Sequence, residues 1–483
     1  MNLSDSFFSN SHANSCFIDG EWIAITNSSG GTIKVYNPNN DSLITSIQAG
    51  GIPDVDNAVI AARTAFQSWS QTSPEERAQI LEAIGGEMEK RRALLVDTVC
   101  AEMGCPRDLT DRFHVNIGIE IFAKTAKLVR EFQWETEMDG VPVFREPIGA
   151  VGIMTTWNGP VTSITKKVAA VLGSGCTAIL KPSEQTPFCA TIIAEAIEAA
   201  GVPAGVFNMV QGFADPVGVR ISNHPDISGI TLTGSVQAGV AVAKAGSGNL
   251  KRMCLELGGK SANILVDDDG FAEAAKLGTI GCMLNSGQVC FAPTRMLVPE
   301  RLLAQAETIA AAVANGLPVG PADTKGVMMG PVISQQQYER VINYIHIGIK
   351  EGAKLIAGGY ERPEGLDEGY FIRPTVFSQV NNSMRIAQEE IFGPVVSIIT
   401  YQSLDEAVAI ANDSSFGLAA HVSAKDRQQA IKIARRLRAG SIYFNGATMS
   451  FDAPFGGYKM SGQGREHSFM GIEEFLETKA LVG

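Results

Sequence analysis

The chain has 483 residues, more than one ordinary hydrophobic core accommodates, which predicts two or three domains. Hydrophobic residues make up 45% and charged residues 19%, the balance of a folded globular protein and not of a disordered one. A formal net charge of −12 argues against a nucleic-acid binder, since the basic clusters Lys90-Arg91-Arg92 and Arg435-Arg436 fall inside helical patterns and read as solvated faces.

Residues 1–16 are polar and Ser/Asn-rich, without the charged start and apolar run of an export signal. No stretch reaches the roughly 18 apolar residues needed to span a bilayer. A cytoplasmic protein without a membrane partner is therefore expected. The eight cysteines are scattered, with no Cys-x-x-Cys pair, and read as reduced thiols. Six dispersed histidines and no His-Glu-x-x-His argue against a metal site. A short strand over 17–22 turns at Asp19-Gly20, a further turn stands at Asn37-Pro38, and a strand covers 43–48. Helical spacing runs over 54–69. Ser73-Pro74-Glu75-Glu76 is a helix start, with Ile80, Leu81 and Ile84 on one face of the helix it opens.

From Pro147 short apolar runs alternate with helical stretches. Strands are expected at 151–154, 178–180, 206–210 and 227–232, with helices reaching 172, 200 and 245. This alternation predicts parallel βαβ units in a nucleotide-binding half, with ligands at the carboxyl ends of the strands. A second set follows Gly258-Gly259, with strands at 263–266, 296–298 and 395–400 and a helix through Cys282, so a domain boundary is placed near Gly258.

The densest chemical run is Asn285-Ser286-Gly287-Gln288-Val289-Cys290-Phe291-Ala292-Pro293-Thr294-Arg295. Read alone, a cysteine between Val and Phe is usually a small core residue. Gly287 and the flanking Asn, Ser and Gln suit an exposed thiol instead. Gly-Gln-x-Cys-x-Ala-x-Thr-Arg resembles the nucleophile signature of the aldehyde dehydrogenase superfamily. Leu255-Glu256-Leu257-Gly258-Gly259-Lys260-Ser261 resembles its glutamate signature. Further similarities follow in order: Thr156-Trp157-Asn158-Gly159-Pro160, Lys181-Pro182-Ser183-Glu184, Leu232-Thr233-Gly234-Ser235, Glu389-Glu390-Ile391-Phe392-Gly393-Pro394 and Pro454-Phe455-Gly456-Gly457-Tyr458-Lys459-Met460-Ser461-Gly462. Together they cover nearly the whole chain.

The resemblance implies an α/β fold with a Rossmann-type cofactor domain (1–128 and 147–257), an α/β catalytic domain (258–452) and a small β oligomerisation extension (129–146 and 471–483). It implies a homodimer or homotetramer. It also implies a chemistry. The Cys290 thiolate attacks an aldehyde carbonyl, and the Asn158 amide and the Cys290 N–H hold the oxyanion. Hydride passes to a nicotinamide, and a water activated by Glu256 hydrolyses the thioester. Lys167 joins the catalytic group by the same resemblance. Read alone, Asn158 is a turn residue before Gly159-Pro160, and Glu256 is a surface charge that its flanking leucines make improbable.

Gly-x-Gly-x-x-Gly is absent. Gly234 and Ser235 at a strand-to-helix turn stand in its place as a pyrophosphate site. By resemblance Lys181, Ser183 and Glu184 bind the adenine ribose, Glu390 the nicotinamide ribose, and Thr156, Trp157 and Phe392 line the cofactor. The Glu184 carboxylate suits a free 2′-OH and repels a 2′-phosphate, so NAD is expected to be preferred. Lys181 and Ser183 leave NADP possible.

Three residues depart from the commonest pattern: Thr156 where the family often has Pro, Gly159 where a ring is frequent, and Lys166 where some members are aromatic. Gly159 predicts a tunnel wide enough for an aromatic or bulky aldehyde, with Phe451 and Met449 at its mouth. Two rivals are a coenzyme-A-acylating relative, which does not need Glu256, and a binding protein on the same fold, which would not need both Cys290 and Glu256.

Overall fold

The computed structural model describes residues 12–25 and 30–483, so the polar start is described only from His12. Its first sheet orders Glu21–Ala24, Ser15–Ile18, Phe207–Met209, Thr177–Lys181, Ala150–Met154, Gly229–Thr233, Arg252–Glu256 and Gly462–Gln463. The five strands from Ala150 to Glu256 are mutually parallel and run 3-2-1-4-5 in space. Ala150–Met154 and Thr177–Lys181 are buried at every position, because helices cover both faces of the sheet. This is a doubly wound sheet. Its strand order reverses between Ala150–Met154 and Gly229–Thr233, the crevice where such sheets bind ligands.

Local chemistry sets the helices around it. Ser73 Oγ accepts from the Glu76 N–H at 3.2 Å, and Glu76 Oε2 accepts from the Ser73 N–H at 2.7 Å. This reciprocal cap opens the helix Pro74–Lys90. Its Leu81 and Ile84 are fully buried with Phe122 and Leu172 in one core beneath the sheet. The expected strand over 17–22 is a hairpin of two strands, because Asp19 (φ 55°) and Gly20 (φ 80°) form a two-residue left-handed turn between Ile18 and Glu21.

The second sheet orders Lys354–Ala357, Thr375–Ser378, Val395–Tyr401, Arg295–Pro299, Ala262–Leu265, Ala419–Ser423 and Ser441–Phe444. It is parallel except at its first pair. A third sheet, antiparallel, sets Val141–Pro147 between Glu135–Met138 and Leu476–Ala480. Residues 129–131 end the helix Ile117–Glu131, and the helix Ser468–Glu473 covers the start of the C-terminal segment, so only part of each expected extension is strand. The two large sheets meet in sequence at 257–261, and Gly462–Gln463 returns to pair antiparallel with Leu255 and Glu256. No helix among the described residues is long and apolar enough to cross a membrane.

Candidate active site

The carboxyl ends of the doubly wound strands carry Thr156 to Asn158, Lys181 to Glu184, Gly234 with Ser235, and Glu256. The Cys290 loop approaches them from the second half. Asn285 (φ 52°) and Ser286 (φ 58°) are both left-handed, ahead of Gly287 (φ 72°). A Cβ on Gly287 would lie 2.1 Å from the Gly393 carbonyl, so only glycine lets the two loops pass. A Cβ on Gly259 would lie 2.3 Å from the Cys290 carbonyl oxygen. The Gly258-Gly259 bend after Glu256 is therefore what brings the nucleophile loop alongside the glutamate strand.

Asn158 Nδ2 donates to the Gln288 carbonyl at 2.9 Å, and its Oδ1 accepts from Thr156 Oγ1 at 2.7 Å. One amide hydrogen is thus anchored, and the other has no partner among the described residues. Asn285 Nδ2 clasps the same loops, donating to the Asn158 carbonyl at 3.0 Å and to that of Gln288 at 3.3 Å.

Cys290 is half-buried, less exposed than its polar neighbours suggest. Burial pushes its thiol up to about 12, Lys166 pulls the other way, and Glu390, Glu256 and Glu466 add to the rise. Glu256 is 2% exposed and neither carboxyl oxygen has a hydrogen-bond partner. Burial, then the charge of Glu466, raises it well above the usual carboxylate range, against Lys166 and Lys167. Its cramped seat is shared with the C-terminal glycine turn, since a Cβ on Gly456 would lie 2.8 Å from Glu256 Oε1.

Lys167 is buried, donates to Thr231 Oγ1 at 2.8 Å and pairs with Glu466. Lys166 Nζ lies 2.6 Å from the other oxygen of the same carboxylate. Burial raises Glu466, but Lys166 and then Lys167 overcome this and hold it well below the usual carboxylate range. Glu466 has no sequence signal beyond a bare Arg465-Glu466-His467 run, and its partner Lys167 is 299 residues away.

The cofactor side is consistent with a dinucleotide. Thr233 Oγ1 is buried without a partner. A Cβ on Gly234 would sit in ordinary contact with Leu232 and Ala238, 3.5–3.7 Å away. Ser235 Oγ accepts from the Ala238 N–H at 3.1 Å as cap of the helix Val236–Gly246, leaving its own hydrogen to donate. Lys181 Nζ donates to the Pro182 carbonyl at 2.8 Å and lies 3.3 Å from Glu184 Oε2. Ser183 Oγ accepts from the Gln185 N–H at 3.2 Å, a turn contact. Glu390 Oε1 accepts from the Gly259 N–H at 2.9 Å. Phe392 (φ 61°) stands edge-on to Trp157, with ring centres 5.4 Å apart.

A Cβ on Gly159 would lie 2.8 Å from Thr162 Oγ1. A cleft opens between Lys124, Lys166, Phe451 and His467; Phe451 lines it and Met449 does not. Phe291 lies inward, its ring 5.8 Å from that of Tyr443 and 6.1 Å from that of Phe455. Among the described residues no group of three or more His, Cys, Asp or Glu is arranged to hold a metal. All eight cysteines are free.

The chain is similar to known proteins along nearly its whole length. The description "Aldehyde dehydrogenase family" matches residues 25–481. A 3-succinoylsemialdehyde-pyridine dehydrogenase of a Pseudomonas species is 43% identical over 97% of this chain and 98% of its own. A solved variant of aldehyde dehydrogenase C from Pseudomonas syringae, complexed with NAD+ and octanal, superposes with a TM-score of 0.96 at 44% identity, covering 98% of this chain and 97% of that one. A Mycobacterium tuberculosis aldehyde dehydrogenase complexed with NAD+ gives 0.94 at 38%, covering 97% of each. The chain belongs to the aldehyde dehydrogenase family.

Proposed function

We propose that this chain oxidises an aldehyde to the carboxylic acid with NAD as the preferred acceptor, using Cys290 as nucleophile and Glu256 as the base for water. One observation carries the division of labour. Glu256 is buried beside the nucleophile loop with both oxygens unpartnered and its pKa raised, the state of a carboxyl kept for proton transfer and not for structure.

The sulfur of Cys290 adds to the aldehyde carbon, while the free hydrogen of the Asn158 amide and the Cys290 N–H hold the carbonyl oxygen as it becomes negative. When bound, the nicotinamide ring supplies the hydride acceptor. Glu256 then takes a proton from the water that attacks the acyl carbon, and Cys290 is released. Lys167 and Glu466 set the charge around Glu256. Thr156, Trp157 and Phe392 would line the nicotinamide, with Glu390 on its ribose. Gly234 and Ser235 would hold the pyrophosphate. Lys181, Ser183 and Glu184 would hold the adenine ribose, where the Glu184 carboxylate disfavours NADP. The NAD+ and octanal in the Pseudomonas syringae structure support this pairing of ligand classes. Glu256 weighs against coenzyme A as obligatory acceptor, since a thiol acceptor needs no base for water.

An aldehyde with an apolar body suits the rings of Phe291, Phe451 and Phe455. The doubly wound half reads as the cofactor domain and the second sheet as the catalytic domain. The antiparallel sheet exposes Met138 (57%), and Leu481 (52%) and Val482 (84%) follow its last strand, which supports its use in a homodimer or homotetramer. Eight free thiols fit a reducing cytoplasm. Replacing Cys290 with Ala tests the core of the proposal. Aldehyde oxidation is expected to vanish while nicotinamide binding persists, and appreciable turnover by that variant overturns it.

A further inference from the structure

The loop that carries Cys290 is anchored on both sides of it. Upstream, Gln288 is held three times. Its carbonyl accepts from Asn158 Nδ2 at 2.9 Å, its Oε1 accepts from the Ile333 N–H at 2.9 Å, and its Nε2 donates to the Asn285 carbonyl at 3.1 Å. The Ala292 N–H then closes a turn on the Val289 carbonyl at 3.1 Å, with Cys290 and Phe291 at the two central positions. Downstream, the hold comes from a distant strand. His421 Nε2 lies 3.0 Å from the Phe291 carbonyl oxygen, and among the described residues no other donor reaches that oxygen. A carbonyl only accepts, so the ring proton sits on Nε2 and His421 donates. Burial pushes the ring down to about 4, outweighing the rise that the Phe291 bond brings, so His421 is a neutral donor near neutral pH. In the parallel register of Ala419–Ser423 with Ser441–Phe444, His421 stands opposite Tyr443. The Tyr443 ring centre lies 5.1 Å from that of the imidazole and 5.8 Å from that of Phe291. Phe291 is thus gripped at its carbonyl by one strand and on its ring by the next.

We propose that His421 is a positioning residue for the nucleophile: by tying down the Phe291 carbonyl, its Nε2–H fixes the turn that presents the Cys290 sulfur and N–H to the aldehyde. The inference deepens the reading of Cys290 as nucleophile and rests on it. No proton changes hands in this role; the lever is orientation. The turn's own hydrogen bond joins Val289 to Ala292 and leaves the peptide planes between them to be set by their contacts. The Cys290 carbonyl packs over Gly259, where a Cβ would come within 2.3 Å of it. The next carbonyl, that of Phe291, is set by His421. Releasing it frees the Phe291–Ala292 plane, and the movement reaches Cys290 through one intervening peptide. A displacement on the order of 1 Å at a reacting atom costs up to about 10²-fold in rate, so a partial displacement passed through that peptide is expected to cost about tenfold.

The test uses the full-length protein and two variants. His421→Phe keeps a ring against Tyr443 and removes the donor. His421→Gln gives up the ring and keeps an Nε2 that donates. Hydrogen–deuterium exchange of the segment 286–293, followed without ligands, is expected to quicken about tenfold in the Phe variant and to return toward the parent in the Gln variant, with the strands of both large sheets unchanged. On rapid mixing with NAD and aldehyde, the first turnover of NADH is expected to slow about tenfold in the Phe variant and to recover to within about threefold of the parent in the Gln variant. Kd for NAD and KM for the aldehyde are expected to stay at the parent's values, which separates a displaced nucleophile from a damaged fold. His421→Ala serves if the Phe variant does not fold. Unchanged exchange and first-turnover rate in the donor-less variant overturn the proposal. So does a Gln variant as slow as the Phe variant, because the ring and not its N–H would then matter. So does a loss of NAD affinity in step with the rate, because His421 would then support the fold at large. Failure of the reading beneath is separate: it shows as a Cys290→Ala variant that still oxidises aldehyde.

Discussion

Replacing Glu256 with Gln separates the two halves of the reaction. Neither carboxyl oxygen accepts a hydrogen bond, so the amide removes no interaction of the resting fold and keeps the shape against Gly456. What it removes is the base. General-base assistance contributes about 10²–10⁴-fold, or about 3–5 kcal/mol, all of it on thioester hydrolysis if Glu256 serves only water. One equivalent of NADH is therefore expected in a rapid burst on mixing with aldehyde and NAD, followed by a steady rate lower by that factor. Mass spectrometry of the stalled enzyme is expected to find the acyl group on Cys290. In the unaltered enzyme the steady rate is expected to fall with falling pH, since the raised carboxyl must be ionised to act, and this limb is expected to vanish in the Gln variant. Absence of both burst and adduct would refute the reasoning, because Glu256 would then be needed to ionise the thiol.

Asn158→Ala is expected to lower kcat about 10²-fold, the worth of one oxyanion donor at about 3 kcal/mol, while Asn285 Nδ2 still holds the Gln288 carbonyl and Tm falls only slightly. A variant within fivefold of the parent would remove Asn158 from the oxyanion site. Glu184→Ala is expected to raise the NADP-to-NAD ratio of kcat/KM about fivefold, matching about 1 kcal/mol of repulsion at a solvent-accessible charge. An unchanged ratio would place the discrimination elsewhere. Across a substrate panel, aldehydes with a ring or long chain are expected to exceed acetaldehyde in kcat/KM, since Phe291 and Phe451 offer apolar surface; the reverse order would discard that lining as a determinant.

The strands near 151–154, 178–180, 206–210 and 227–232 were legible because each buried run is short, apolar and separated by a helical stretch, a pattern that depends only on local spacing; their order across the sheet was not. Cys290 and Glu256 stood out as candidates because their neighbours form long motifs. The backbone conformation around Cys290 was not legible. Asn285 and Ser286 adopt left-handed backbone that their residue types permit but do not announce. Gly159 suggested open space, and Thr162 Oγ1, three residues on, stands 2.8 Å from where a Cβ at 159 would lie, a neighbour the residue type alone does not reveal. Glu466 was invisible because a buried carboxylate with two lysines differs from a surface one only through tertiary packing, and no spacing along the chain encodes a contact across 299 residues.

The same burial that fits Glu256 for its role carries a cost that is measurable without substrate. Its carboxyl is raised in the fold, so the folded state prefers the proton more than the unfolded chain does. The protein is then favoured while the pH lies below the ordinary carboxylate value. It loses stability as the pH climbs from there toward the folded value, and beyond that the loss is constant. Each unit of displacement corresponds to about 1.4 kcal/mol. A Gln at 256 cannot ionise and is exempt. Any fixed cost of burying the amide is equal at every pH, so the comparison isolates the charge. The difference in Tm between Glu256→Gln and the parent is therefore expected to move in favour of the variant between pH 5 and pH 8, read by calorimetry without cofactor. A difference that stays flat would mean that Lys166 and Lys167 already neutralise Glu256 in the fold, and the carboxyl would be an ordinary ion-pair partner with no proton affinity to spare for catalysis.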